Sequence, residues 1–122
     1  MAVIAYNNRS FTQNTWTVMY NGGNDFAMTS FNALNIGTAS SVGLAFAIGD
    51  GTIVDGSNNA FYANLEVNTA NTTGILLDDS LGFGNQIYWS SDSGKLLLPS
   101  GKQLLVAVTG GNVEVSMFGL EL

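Results

Sequence analysis

The last twenty-one residues, KQLLVAVTGGNVEVSMFGLEL, have the clearest hydrophobic pattern in the chain. Every residue from 104 to 108 is apolar, which is typical of a strand covered on both faces. From Val113 to Met117 apolar and polar residues alternate, as in a strand with one buried face. The two glycines between these stretches suit a two-residue hairpin loop, so the pattern predicts that the two strands form a hairpin. Gly119 breaks the alternation and predicts a bulge.

The rest of the chain alternates short stretches of β-forming residues with turn sequences rich in asparagine, glycine and aspartate. About nine short strands, with turns at the spacing of a sandwich or barrel, are expected. No rhythm of strand, helix and strand is present, which excludes a parallel α/β sheet. The sequence predicts an all-β chain that folds as one antiparallel β-sandwich domain over residues 1–122. The predicted strands include residues 15–20, 41–48, 53–54, 61–67, 86–89 and 96–98.

Residues 26–36 fit two kinds of secondary structure. Met28, Phe31 and Leu34 recur every three residues, which allows a short helix. The apolar positions of the segment also share one face of a strand. Because asparagine does not favour a helix interior and two asparagines lie within the segment, extended or irregular structure is the prediction.

Large and small residues alternate without exception from Val42 to Ile48. The large residues are expected to fill the core, and Gly43, Ala45 and Ala47 leave the other face of the strand flat. Such a face either lies against a neighbouring surface or belongs to an ordinary inner strand.

Charged residues make up 10% of the chain, against about 25% in average globular proteins. Asparagine alone occurs fourteen times, so the polar surface consists mainly of asparagine, serine, threonine and glycine. A surface of this kind is easy to bury, which favours a protein that works against copies of itself or a larger partner. The alternative is a soluble monomer with an uncharged polar coat.

The net charge of −6 comes with three basic residues, Arg9, Lys95 and Lys102. Nucleic-acid binding and attachment to an anionic membrane surface both need a basic patch, so neither partner is expected. No uninterrupted apolar run is as long as a membrane span, and the start MAVIAYNNRS does not predict a signal peptide. Without cysteine, no disulfide framework is expected.

The sequence offers little for catalysis, because it contains neither histidine nor cysteine. Carboxylates remain, and the candidates are the pair Asp78 and Asp79 and the pair Asp50 and Asp55. Adjacent carboxylates on a strand point to opposite faces, which is poor geometry for shared acid–base work. The prediction is a protein that is not an enzyme, with no catalytic residue and no cofactor.

The segment GDGTIVDGSNN, residues 49–59, is a weak candidate for calcium. Asp50, Asp55, Asn58 and Asn59 supply hard oxygen ligands. Their spacing does not match a calcium loop and no glutamate closes it, so two turns built on Asp-Gly sequences are the favoured interpretation, and no metal site is predicted.

Four aromatic residues are candidates for a sugar-binding surface: Trp16, Tyr62, Tyr88 and Trp89. Aromatic rings can stack on the apolar faces of sugars. Aromatic residues on strands are more often buried in a core or a protein interface, which is the favoured interpretation here.

Residues 41–122 resemble small tailed-bacteriophage virion proteins. Three stretches carry the resemblance: the small-residue strand SVGLAFAIGDG, the segment NAFYANLEVNTANTTGILL, and the ending LLLPSGKQLLVAVTGGNVEVSMFGLEL. The ending matches in its Leu-x-x-Gly turn, its two-glycine turn and its closing Gly-Leu-Glu. Lys102 stands where such proteins more often have an acidic residue, and residues 1–40 match no part of the pattern.

The resemblance implies a jelly-roll-like antiparallel β-sandwich on the capsid surface of a virion, often a homotrimer. Such a protein acts as capsid cement or decoration, and its partners are the major capsid protein and its own copies. A tail fibre or adaptor, a carbohydrate-binding module and a self-assembling cell-surface subunit remain open. Residues 1–40 are then a candidate docking segment. Within it Phe11, Trp16 and Tyr20 are the candidate interface residues, because large aromatic side chains often anchor interfaces.

Overall fold

The computed structural model describes residues 2–37, 41–56, 72–82, 86–90 and 96–122. Nine strands lie in these ranges, as the all-β prediction expected, and residues 26–35 are extended. The predicted strand at 53–54 is not a strand, and the one at 61–67 lies outside the described residues. The strands are β1 (Ala2–Asn8), β2 (Thr17–Asn21), β3 (Phe26–Asn35), β4 (Ser41–Gly49), β5 (Thr72–Gly82), β6 (Gln86–Ser90), β7 (Leu96–Leu98), β8 (Gln103–Thr109) and β9 (Val113–Glu121).

The strands form two antiparallel sheets that pack face to face. The first sheet has the order β1-β9-β3-β6, with β7 also paired to β3, and the second has the order β2-β8-β4-β5. Apart from the extra β7, this is the strand order of an eight-stranded jelly roll. The predicted fold class is therefore confirmed. No helix in the described ranges has the length and apolarity needed to cross a bilayer.

The core lies between the two sheets. It combines the inward residues of β3 and β9 from the first sheet with those of β4 and β8 from the second. Phe31 of β3 stacks on Phe46 of β4, with ring centroids 4.4 Å apart. Stacked aromatic pairs contribute beyond their buried area, so this pair ties the centres of the two sheets together.

The predicted terminal hairpin is wrong. β8 pairs with β2 and β4, whereas β9 pairs with β1 and β3, so the two strands lie in opposite sheets. The turn between them is present, and Gly110 has the positive φ of 87° that the glycine suggested. Val108 and Val113 flank this turn and both face the same core. The chain therefore crosses from one sheet to the other at this turn. Such a crossing needs the same turn residues as a hairpin, so the turn alone does not distinguish the two.

The irregularity expected at Gly119 lies on the neighbouring strand instead. β9 pairs regularly with β1 through Gly119, but its register with β3 shifts between Met28 and Ser30. The extra residue is Thr29, whose hydroxyl donates a hydrogen bond to the carbonyl of Phe118 at 2.9 Å. Gly119 continues the inward-facing series of β9.

A second apolar cluster covers the outer face of the second sheet. Trp16 and Ile53 lie against the small residues of β4 and the outward residues of β8. Ala45 and Ala47 are fully buried there. The flat face of β4 is thus covered by other segments of the same chain, as expected of an inner strand.

The buried amide of Gln103 holds the segment after β4 in place. Its Oε1 accepts hydrogen bonds from the backbone N–H groups of Gly51 and Ile53, each at 3.1 Å, and its Nε2 donates to the carbonyl of Ile53 at 2.8 Å. Buried polar groups of this kind are costly to leave unpaired. Gln103 is therefore the residue that fixes Ile53 over the sheet.

We expect Gln103→Leu to lower the free energy of unfolding by about 2 kcal/mol, because three backbone groups lose their partner. Denaturant unfolding measures this change. The control is Gln13→Leu, since the exposed Gln13 donates a single hydrogen bond to the carbonyl of Gly111. Equal effects of the two substitutions would contradict the structural role of Gln103.

Candidate interaction surface

The outer face of the first sheet carries a row of apolar side chains. The register aligns Val3 with Leu120, Leu120 with Ala27, and Ala27 with Leu97, so these four residues cross β1, β9, β3 and β7. We call them the apolar row. At its two ends, Val3 is 60% exposed and Leu97 is 62% exposed. Large apolar side chains aligned in this way give a sheet face that is suited to protein contact.

The next two rows become progressively more polar. Ala5, Phe118 and Ser30 follow the apolar row, and Phe118 is 47% exposed. The row after that combines asparagine and serine with the exposed ring of Tyr88 in β6. A shallow depression of about 410 Å³ lies where these rows meet, beside Ala5 and Phe118.

Charge is scarce on this face. Among its described residues Glu114 is the acidic one, and its carboxylate forms an ion pair with Arg9. Other described acidic residues lie elsewhere: Asp25 between β2 and β3, Asp50 and Asp55 after β4. A face with little net charge is unusual in a chain of net charge −6, and it can approach another protein without strong repulsion.

Sequence reasoning missed Val3, Leu97 and Phe118. For Leu97 a signal was present, because the middle residue of Leu96-Leu97-Leu98 must face the opposite side of the strand from its neighbours. For Phe118 the signal was the alternation of β9, which places residue 118 on the outer face. The assumption that Gly119 interrupts this alternation hid the signal.

The side chains of the three predicted interface residues pack mostly against other residues of the same chain. Trp16 is fully buried and Tyr20 is 6% exposed. Phe11 is half-buried and packs against the main core. Their role in an interface stays a prediction, and the apolar row offers a partner far more exposed surface than Trp16 or Tyr20 does.

Tyr20 and Glu121 connect the two sheets at one end of the sandwich. The Tyr20 hydroxyl donates to Glu121 Oε2 at 2.8 Å, and Asn24 Nδ2 donates to Glu121 Oε1 at 2.9 Å. The hydrogen bonds from Asn24 and from Tyr20 lower the pKa of Glu121. Burial, followed by the hydrogen bond to Glu121, raises the pKa of Tyr20 to about 12.

These pKa shifts predict how stability depends on pH. A carboxylate with a lowered pKa stabilises the fold above its unfolded pKa, and this contribution is lost as the pH falls through the folded pKa. Stability carried by Glu121 is therefore complete near neutral pH and declines below the ordinary glutamate pKa of 4.5. We expect Glu121→Gln to lose less stability than the original chain between neutral pH and about pH 3, measured by denaturant unfolding. Parallel losses in the two proteins would contradict this role of Glu121.

The acidic residues in the described ranges do not form a group of three that could hold a metal ion. Asp50 Oδ1 accepts from the backbone and hydroxyl of Thr52, and these bonds lower the pKa of Asp50. Asp55 Oδ1 accepts from the backbone of Val18 at 2.8 Å. The described part of the chain brings no three potential ligands together; Asn58 and Asn59 lie outside it. Asp78 and Asp79 are consecutive residues of β5.

Of the four aromatic sugar-binding candidates, the two with described side chains, Trp16 and Tyr88, lie on different sheets. Trp16 is buried under the segment after β4, on the second sheet. Tyr88 is 63% exposed on the first sheet. Trp89 of β6 lies opposite Phe31 of β3 in the register of the two strands. Tyr62 lies outside the described residues.

No protein-family model matches the chain, and no curated protein matches it. Among solved structures, it is similar to a pentameric capsid protein from metagenomic phage sequences, with 16% identity, a TM-score of 0.45, and coverage of 98% of this chain and 61% of the other. A second structure of such a capsid protein gives 18% identity, a TM-score of 0.39, and coverage of 98% and 62%. For Eiger TNF from S. frugiperda the values are 11%, 0.42, and 97% and 92%. This chain spans about three fifths of the length of the two capsid proteins. These likenesses identify no family for it.

Proposed function

We propose that this chain is a structural virion protein, a capsid cement or decoration protein that binds the shell of a phage and copies of itself. The observation that carries the proposal is the exposed apolar row on a nearly uncharged sheet face. Jelly rolls are a common fold of viral capsid domains and also of lectins, so the fold supports a binding role without choosing between them. The resemblance of residues 41–122 to phage virion proteins favours the capsid.

The apolar row suits a contact that binds weakly through a single copy and strongly when many copies bind the same shell. The outer face of the first sheet spans four strands about 4.8 Å apart, and β9 is about 30 Å long. The area of this face is therefore on the order of 500 Å². Standard stable interfaces bury about 800 Å² per partner, so a single contact through this face is weak. Many symmetric copies on one shell multiply such contacts, which is how a cement protein stabilises a particle.

The absence of histidine and cysteine from the sequence agrees with a protein that acts by binding alone. The major capsid protein is the proposed partner, and the outer surface of the capsid is the proposed location. Self-association as a trimer stays the prediction that the resemblance implies, and it needs a three-fold contact distinct from the two-fold contact inferred below.

The test uses empty shells assembled from a phage major capsid protein found in the same genome as this chain. We expect the chain to co-sediment with these shells and to raise the temperature at which they come apart. Leu97→Lys is expected to weaken binding about tenfold or more, because it puts a charge into the apolar row. The control is Val54→Lys, since Val54 is 67% exposed but lies in the segment that follows β4.

Failure of the chain to bind the shells would contradict the capsid proposal. Equal weakening by both lysine substitutions would show that binding depends on net charge and not on the apolar row. Binding to assembled tails in place of shells would move the protein to the tail, as a fibre or adaptor.

One observation favours carbohydrate binding as a second candidate. The exposed ring of Tyr88 lies in a row with Asn7, Ser116 and Asn32. An aromatic ring beside amide and hydroxyl groups is a suitable surface for a sugar. A glycan array probed with and without calcium tests this function, and Tyr88→Ala should abolish any binding that it shows.

A further inference from the structure

The two sheets end in four edges, and exposed edges invite pairing with another strand. At the β2 edge the segment after β4 occupies backbone groups. Val18 N–H donates to Asp55 Oδ1 at 2.8 Å, and the carbonyl of Trp16 accepts from Gly56 N–H at 2.8 Å. The pairing of β2 with β8 also contains a register shift at Met19. This edge is therefore closed to a further strand.

Two other edges carry features that hinder pairing. β5 pairs with β4 through two register shifts and contains Asp78 and Asp79. At the far edge of the first sheet, β6 has five residues and β7 has three. Charges, irregular register and short strands are the usual means by which proteins keep sheet edges apart.

The β1 edge has none of these features. Its seven residues, AVIAYNN, contain no proline and no charged side chain. They pair with β9 without any register shift, and among the described strands β1 pairs with β9 alone. A regular, uncharged edge strand of this length is a template for pairing with another strand.

We propose that β1 pairs with β1 of a second copy, antiparallel across a two-fold axis, so that the first sheets of the two copies become continuous. Charge favours this occupant, because a chain of net charge −6 can approach its own copy only where acidic groups are absent or neutralised. Near β1, Glu114 is paired with Arg9, and Asp55, whose charge reaches Tyr6, accepts a hydrogen bond from the Val18 backbone N–H.

The sequence of β1 is also complementary to itself. With the axis at Ile4, antiparallel pairing places Val3 opposite Ala5 of the second copy and Ala2 opposite its Tyr6. Every such pair joins apolar or aromatic side chains on the same face of the sheet, as cross-strand pairs require. Val3, at the end of the apolar row, then lies beside Ala5 of the second copy, which is aligned with Phe118 of that copy.

The experiment measures the mass of the purified chain by sedimentation velocity between about 1 µM and about 1 mM. We expect dimers that Val3→Lys dissociates about tenfold or more readily, because it puts two positive charges near the axis. The control is Leu97→Lys, which adds the same charge to an equally exposed position of the same face, away from β1, and should leave the dimer intact.

Single cysteines at Val3, Ile4 and Ala5 give a second readout, because the chain has no cysteine of its own. One of the three should form an intermolecular disulfide, whereas Leu97→Cys should not. A chain that stays monomeric, or an oligomer that Leu97→Lys dissolves and Val3→Lys does not, overturns the proposal. The test contains no shell protein, so its result is independent of the proposed capsid function.

Discussion

Replacing Trp16 by alanine is expected to lower the free energy of unfolding by about 3–5 kcal/mol, the range for removing a large buried aromatic side chain. Trp16 is fully buried and packs on Ala45, Ala47, Leu105 and Ala107. The small residues beneath it cannot fill the space that the indole leaves. Thermal or denaturant unfolding of the free chain measures the loss.

Trp16→Ala also distinguishes a role of Trp16 in packing within the chain from a role in an interface. Among the described residues the indole Nε1 has no hydrogen-bond partner, so Trp16→Phe keeps most of the packing, removes no described hydrogen bond and should cost about 1 kcal/mol. If Trp16→Ala left the stability of the free chain unchanged but weakened its binding to shells or to its own copies, Trp16 would be an interface residue and the packing role would be wrong.

Gly119→Ala is expected to destabilise the chain by about 3 kcal/mol, through overpacking. An added Cβ would lie 2.2 Å from Cζ of Phe26 and 2.7 Å from the carbonyl oxygen of Ala27. Phe26 is fully buried and stacks on Tyr20, with ring centroids 4.3 Å apart, so any movement of its ring disturbs packed neighbours. The lack of a side chain at Gly119 thus leaves the space that the Phe26 ring occupies in the core.

Gly23→Ala is the matched control, because a Cβ there meets no atom within 4 Å. It should change stability by less than about 0.5 kcal/mol. In the background of Phe26→Leu, the effect of Gly119→Ala should shrink, since the smaller side chain leaves room for the methyl group. An unchanged effect in that background would show that the conflict lies with the backbone of Ala27 alone.

The sequence was sufficient for the fold class and for most strands, because alternation and turn residues are local signals. It was insufficient for which strands pair. Leu104–Val108 and Val113–Met117, joined through Gly110, look the same whether they pair side by side or face each other across the core. That choice depends on β1 and β3 flanking β9, and on β2 and β4 flanking β8, which are contacts distant in sequence.

The candidate site was harder to predict than the fold. Large aromatic residues are found both in cores and at interfaces, so Trp16 and Tyr20 carried no local sign that the chain itself buries them. The apolar row could not be identified before the registers were known, because Val3, Leu97 and Leu120 come from strands far apart in sequence. Each of them alone is an ordinary exposed apolar residue.

The position of β9 determines when the protein can fold during its synthesis. β9 follows the other eight strands in chain order, yet it lies between β1 and β3 in the first sheet. Until β9 has been synthesised, β1 has no neighbour among the described strands of that sheet, and β3 lacks its partner on one side. Folding of the first sheet therefore waits until β9 has been synthesised, and the distant pairing of Ala2 with Glu121 makes this step slow. Nascent chains crowded on one messenger RNA would expose unpaired strands during this delay, so chaperone dependence in the host is expected.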